Sequence, residues 1–182
     1  MSVHIRPADL ADATAIAEVQ VTAWRESYAD ILPRSTLDAL SVAQRTASWT
    51  RQLTEAAARI LVAETESGLI GFGACCPQRT GQLLMEWFDG EVSALYVLRA
   101  WQGQGHGKGL LNALFGRLRE DGFEAVSLWV LSQNQPARAF YARMGGAVIA
   151  GRDDQGGDER LAETAYGWRK LPRGPARPLF TP

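Results

Sequence analysis

Histidine and cysteine are scarce in this chain, with two of each among 182 residues. The cysteines, Cys75 and Cys76, are adjacent, a spacing that rarely supports a mutual disulfide because the bridge would be strained. With His4 and His106 far apart in the sequence, too few soft ligands remain for a zinc-type centre, so no metal is expected. Charge of one sign is also missing: 19 basic residues face 20 acidic ones. A nucleic-acid partner would call for a concentrated basic stripe, and none is seen. No apolar run approaches the roughly 20 residues needed to cross a bilayer, and the first residues, MSVHIRPADL, lack the basic start and apolar core of a signal peptide. The expectation is a cytoplasmic protein in reducing surroundings, without a membrane partner. No internal repeat is visible. The length suits one domain, residues 1–172, followed by a proline-rich tail, residues 173–182.

Hydrophobic spacing then organises the chain. His4 to Arg6 reads as a short strand, and Asp9 as an N-cap. Leu10, Ala13, Ile16, Ala17, Val19 and Trp24 recur at helical spacing, predicting a helix from Ala11 to about Tyr28. Short helices follow: one to Leu40, capped by Ser35 or Thr36, and another after Ser41. Arg59 to Glu64 and Leu69 to Cys76 read as a hairpin about Ser67-Gly68. Gln78 to Gly90 reads as irregular. Glu91 to Val97 is a strand, Lys108 to Glu120 a helix, and Ala125 to Leu131 a strand buried on both faces. A helix from Asn134 to Met144 and two strands, Ala147 to Ala150 and Leu161 to Arg169, complete the order, with a polar loop carrying Gly156-Gly157 between them. Such alternation argues for an α/β fold, a mixed sheet with helices on both faces.

The chemistry concentrates in Gln102-Gly103-Gln104-Gly105-His106-Gly107-Lys108, between a strand and a helix. A strand that feeds a helix through glycines offers unpaired backbone N–H groups and the positive end of the helix dipole to an anion. Glycine also lets a phosphate approach the backbone without meeting a Cβ. The nucleotide P-loop pattern fails at Gln102 and at Gly109, where it needs Gly and Ser or Thr. The dinucleotide fingerprint fails at Lys108 in one register and at Leu110 in the other. A third pattern, Q/R-x-x-G-x-G/A, matches at Gln102, Gly105 and Gly107.

Downstream lie Leu128 to Asn134, then Ala137-Arg138-Ala139-Phe140-Tyr141 and Gly145. Together with the loop and with Ala94-Leu95-Tyr96-Val97 ahead of it, this stretch resembles the acetyl-CoA motifs of the GCN5-related N-acetyltransferase superfamily. The resemblance spans about Glu91 to Gly146. It implies a mostly antiparallel central sheet of about seven strands, acetyl-CoA as acyl donor, and a primary amine of a small molecule, peptide or protein as acceptor. It also implies a possible homodimer. His106 and Gly109 depart from the usual pattern, but neither removes a backbone donor.

Direct attack of an amine on a thioester needs four things. The ammonium, of pKa ~10 when lysine-like, must lose a proton. The oxyanion needs a donor, the thiolate a proton, and the reactants alignment. By resemblance, Leu95, Tyr96 and Val97 pair with the pantetheine arm, and an N–H near Val97 polarises the carbonyl. Gln102 to Lys108 bind the pyrophosphate. Tyr141 is the expected acid toward the thiolate. Glu91 is the expected base, placed by strand alternation on the same face as Ser93 and Leu95. Asn134 is a helix cap, a cofactor contact or both. Arg138 and Arg143 approach the adenosine phosphate or are solvated. Trp24, Tyr28 and Trp87 are candidate walls of the acceptor groove, although aromatics at such spacing more often pack a core. The competing readings are a non-catalytic acyl-CoA sensor and, against the failed motif counts, an ATP- or NAD-dependent protein.

Overall fold

A computed structural model describes residues 2–56, 58–154 and 161–171. The expected tail and the Gly156-Gly157 loop lie outside the described residues. The elements run β1 (His4–Pro7), α1 (Ala13–Ser27), α2 (Arg34–Asp38), α3 (Val42–Glu55), β2 (Arg59–Thr65), β3 (Gly68–Pro77), α4 (Gly81–Met85), β4 (Gly90–Val97), α5 (His106–Glu120), β5 (Val126–Leu131), α6 (Gln135–Arg143), β6 (Ala147–Asp154) and β7 (Leu161–Trp168). They form one seven-stranded sheet of order β1-β2-β3-β4-β5-β7-β6. Its pairs are antiparallel except β4 with β5.

Strand alternation sorts the core into layers. Leu61, Ala63, Ile70 and Val92 pack on one face beneath Leu110, Leu111, Leu114, Phe115 and Leu118 of α5. Ile60, Val62, Phe72, Ala74 and Ala94 pack on the other, beneath Ile16, Ala17 and Val19 of α1 and Trp49 of α3. The close seating of α5 requires Gly73, where a Cβ would stand 2.6 Å from Leu114 Cδ1. Helices α1 and α3 are locked together by the buried Trp49 indole N–H, which donates to Gln20 Oε1 at 2.8 Å.

Several boundaries differ from the sequence reading for local reasons. Asp9 caps a 3-10 turn, Leu10–Asp12, rather than α1 itself, because Asp12 reaches back to the Asp9 N–H and closes a capping box. Pro33 stands at the N-cap of α2, ahead of the expected Ser35 or Thr36. The stretch expected to be irregular holds the short helix α4. Helix α5 begins at His106, ahead of the expected Lys108, because Gly105 adopts φ 92° and serves as N-cap.

Two features of the sheet create the site. Strands β4 and β5 pair only at Gly90↔Val126 and Glu91↔Ser127 and then part. Strand β4 also carries a bulge: Ala74 pairs with Ala94 but Cys75 with Val92, leaving Ser93 as the extra residue. A one-residue bulge resets which face every later side chain addresses.

Candidate active site

Beyond Glu91 the edge of β4 that faces β5 is open. The Leu98 N–H bonds Ile70 O across to β3. Bonded positions alternate along an antiparallel pair, so Leu95 and Val97 turn their N–H and C=O toward the gap. Tyr96 turns its backbone to β3 instead, so of the expected Leu95-Tyr96-Val97 edge only the outer two residues offer backbone groups there.

The glycine loop lies at the end of this edge. Gln102 closes it: its side-chain amide donates to Val97 O at 2.9 Å and its backbone N–H to Arg99 O at 3.2 Å. Expected as a pyrophosphate donor, Gln102 instead spends both groups on holding the loop. The free donors begin one residue later. Gly103 and Gly105 take φ 73° and 92°, and a Cβ at either would meet nothing within 4 Å. The next helix-type bond runs from the Gly109 N–H to Gly105 O, so the backbone N–H groups from Gly103 to Lys108 have no backbone acceptor among the described residues. They combine an open turn with the positive end of a 15-residue helix. Lys108 sits exposed in that first turn, where the helix dipole disfavours a cation unless an anion accompanies it. Phe140 of α6 supports the turn from below, 3.6 Å from where a Cβ of Gly107 would lie. These residues fit a diphosphate.

Glu91 does not stand where simple alternation would put it. The Ser93 bulge leaves Val92, Leu95 and Val97 on the α5 face and Ala94 and Tyr96 on the other. Glu91, next to Val92, therefore lies opposite Leu95. Its carboxylate is buried, at 4% exposure, and occupied: Arg79 holds it through Nη2 at 2.5 Å, Nε at 3.1 Å and its backbone N–H at 3.1 Å. The neighbouring Gln78 amide donates to Ser127 Oγ. The turn after β3 is thus tied to both strands where they still pair.

Tyr141 is buried on α6 among Phe140, Tyr166 and Trp168, with ring centroids 5.3–6.4 Å away. Its phenol forms no hydrogen bond among the described residues, and burial, then the nearby Tyr96, push its pKa up. Tyr96 lies in the opposite layer, yet the two tyrosines influence one another across the gap that opens where β4 and β5 part. Tyr28, at the end of α1, joins them. Its pKa is raised by burial first and then by the nearby Tyr96 and Tyr141, with Asn134 alongside. Sequence reasoning places Tyr96 only as backbone; its side chain belongs to no pattern that announces this cluster.

Asn134 is buried and caps α6, accepting from the Ala137 N–H at 3.2 Å, and it lies near Tyr28. Arg138 is not a solvated helix charge: Nη1 donates to Ser132 O at 3.0 Å, and Nε is buried without a partner among the described residues. Arg143 is exposed. Trp24 and Tyr28 do meet, edge to face at 5.2 Å. Trp87 does not join them. It is 82% exposed on the turn entering β4, and the whole strand, about 20 Å at ~3.3 Å per residue, separates it from Tyr96. Cys75 is buried and Cys76 partly so.

Comparison with known proteins gives a consistent picture. Residues 17–146 match the family model described as Acetyltransferase (GNAT) family. A Bacillus subtilis (strain 168) protein called "Uncharacterized N-acetyltransferase YuaI" is 33% identical over 170 residues, 93% of this chain and 94% of that protein. The structure of yncA from Salmonella typhimurium with its cofactor acetyl-CoA superposes with a TM-score of 0.70 at 24% identity, covering 98% of this chain and 99% of that one. The PaiA N-acetyltransferase of Thermoplasma acidophilum in complex with coenzyme A gives a TM-score of 0.69 at 22% identity, over 90% and 98% of the two chains.

Proposed function

That the chain belongs to the acetyltransferase (GNAT) family is the premise from which we propose that it transfers an acetyl group from acetyl-CoA to a primary amine, by direct attack in a ternary complex. The observation that carries this reading is the run of unpaired N–H groups from Gly103 to Lys108, set at the end of the open β4 edge. The loop would hold the pyrophosphate. Leu95 and the Val97 C=O would bond the amides of the pantetheine arm, leaving the thioester in the gap between β4 and β5 beside Tyr141.

In the gap, a neutral amine attacks the thioester carbon. The C–N bond forms, and the backbone N–H of Val97 donates to the oxyanion. Collapse breaks the C–S bond, and the departing sulfur takes the Tyr141 phenol proton. The ammonium form of the acceptor releases two protons in all, one to solvent and one that restores Tyr141. Burial keeps that phenol protonated through the neutral range, as an acid toward sulfur must be. Both Glu91 oxygens are engaged by Arg79. We therefore assign the first deprotonation to water in the groove, and to Glu91 the task of fixing the floor where β4 and β5 part.

Calorimetric titration with acetyl-CoA, followed by free-thiol release across an amine panel, tests this reading. Saturable binding with amine-dependent thiol release is expected. Binding without turnover of any amine would favour an acyl-CoA sensor; no binding by the folded protein would refute the loop assignment.

A further inference from the structure

The acceptor side of the gap is built from the crossing of α1 and α3. Trp49 and Gln20 meet in the core of that crossing. One helical turn further along α1 and one turn back along α3, Trp24 meets Arg45, whose guanidinium carbon lies 5.6 Å from the centre of the indole ring. This places Arg45 and Trp24 at the mouth of the crossing, beside Tyr28 and Tyr96.

The hydrogen-bonding inventory there is one-sided. The Trp24 indole N–H is buried and has no acceptor within bonding distance among the described residues, although Tyr96 lies nearby. Arg45 is half-buried over Trp24, and no described carboxylate lies within ion-pair distance of it. Tyr28 and Tyr96 lie near one another, and burial pushes the pKa of both phenols up. Of the acids on neighbouring elements, Glu163 is bound by Arg152 Nε at 2.7 Å, and Glu26 accepts from the Arg99 backbone N–H at 2.9 Å. Donors without acceptors are costly to bury and mark a site that an acceptor completes. An anionic oxygen group would meet a guanidinium and an indole N–H together here.

We propose that the acceptor is an amine bearing an anionic oxygen group, with Arg45, the Trp24 N–H and the Tyr28 hydroxyl binding that group while the amine reaches the gap beside Tyr141. The inference rests on the acetyl-transfer reading and narrows its substrate to amino acids or amino phosphates.

The experiment measures thiol release from acetyl-CoA with paired acceptors: L-amino acids against their C-terminal amides, and O-phosphoethanolamine against ethanolamine. A preference of about tenfold or more in kcat/KM for the anionic member of at least one pair is expected, the scale of one charge-assisted contact. Which pair discriminates tells carboxylate from phosphate. Arg45→Gln should erase that preference mainly through KM, Arg45→Lys should restore part of it, and both variants should bind acetyl-CoA like the parent chain, which also shows that they are folded. Equal or better turnover of the neutral partners, turnover of none of the anionic amines, or a preference that survives Arg45→Gln overturns the proposal while leaving acetyl-CoA binding intact. Loss of acetyl-CoA binding in the parent chain overturns both readings.

Discussion

Replacing Tyr141 by Phe separates the two things this side chain does. Its ring fills a buried cluster with Phe140, Tyr166 and Trp168, and Phe keeps that ring. Its hydroxyl forms no hydrogen bond with the described residues, so removing it forfeits no protein contact. Stability should change by less than about 0.5 kcal/mol. Tyr141→Ala, by contrast, would empty a buried aromatic site and cost about 3–5 kcal/mol. If the phenol protonates the departing thiolate, Tyr141→Phe should still lower turnover on the order of 100-fold, the lower end for a lost general acid. Acetyl-CoA affinity, measured by calorimetry, should stay within about threefold, since the loop and the β4 edge are untouched. The phenol's raised pKa adds a pH signature: its proton is retained through the ordinary tyrosine range, so the parent enzyme should show no alkaline loss of kcat from this group below pH ~10. Unchanged thiol release by a Tyr141→Phe protein of normal stability would refute the acid role; a large loss of stability would refute the packing argument.

The loop, the buried carboxylate and the first strand can be perturbed in the same way. Gly105→Glu forces a side chain into φ 92° and sets a carboxylate where the pyrophosphate is expected; calorimetry should find acetyl-CoA affinity lowered on the order of 100-fold or more, and retained affinity would sink the loop assignment. Arg79→Ala leaves the Glu91 carboxylate with only a backbone donor. Because Arg79 itself is 64% exposed, water replaces part of the loss, and denaturant unfolding should report about 1–3 kcal/mol. Adding Glu91→Gln should recover part of that cost, whereas strictly additive effects would mean that the two residues are not coupled. Glu91→Gln alone should leave the pH profile of kcat/KM in place, and disappearance of its acidic limb would instead mark Glu91 as the base. Asp12, gripped by Arg6 at 2.7 Å and 2.9 Å, has its carboxyl held below the usual range by that hydrogen bond. Its contribution is therefore complete above the unfolded value near ~4 and is lost as pH falls through the lower folded value. Thermal melts from pH 6 downward should fall less steeply for Asp12→Asn than for the parent chain.

Much of this molecule is legible in its residues because the causes are local. The glycine loop announces itself through φ demands that only glycine meets cheaply at Gly103 and Gly105. The alternation of strands and helices follows from hydrophobic period, and Asn134 from the preference of a helix end for a side-chain acceptor. These depend on neighbours within one or two turns, so the family resemblance, the α/β layering and the position of the glycine-rich turn can all be read along the chain. The face on which Glu91 lies cannot. It is set by a single unpaired residue, Ser93, in the register of β4 against β3, and register is a property of two strands, not of one. The occupation of Glu91 by Arg79, the separation of Trp87 from Trp24 and Tyr28, and the meeting of Tyr28, Tyr96 and Tyr141 are of the same kind. Each depends on how far β4 and β5 stay paired and on how α1 crosses α3. Residue order alone thus marks the segments able to bind a diphosphate and those able to pack. Which polar groups face one another is settled in three dimensions, because packing across layers brings together residues whose spacing along the chain carries no signal.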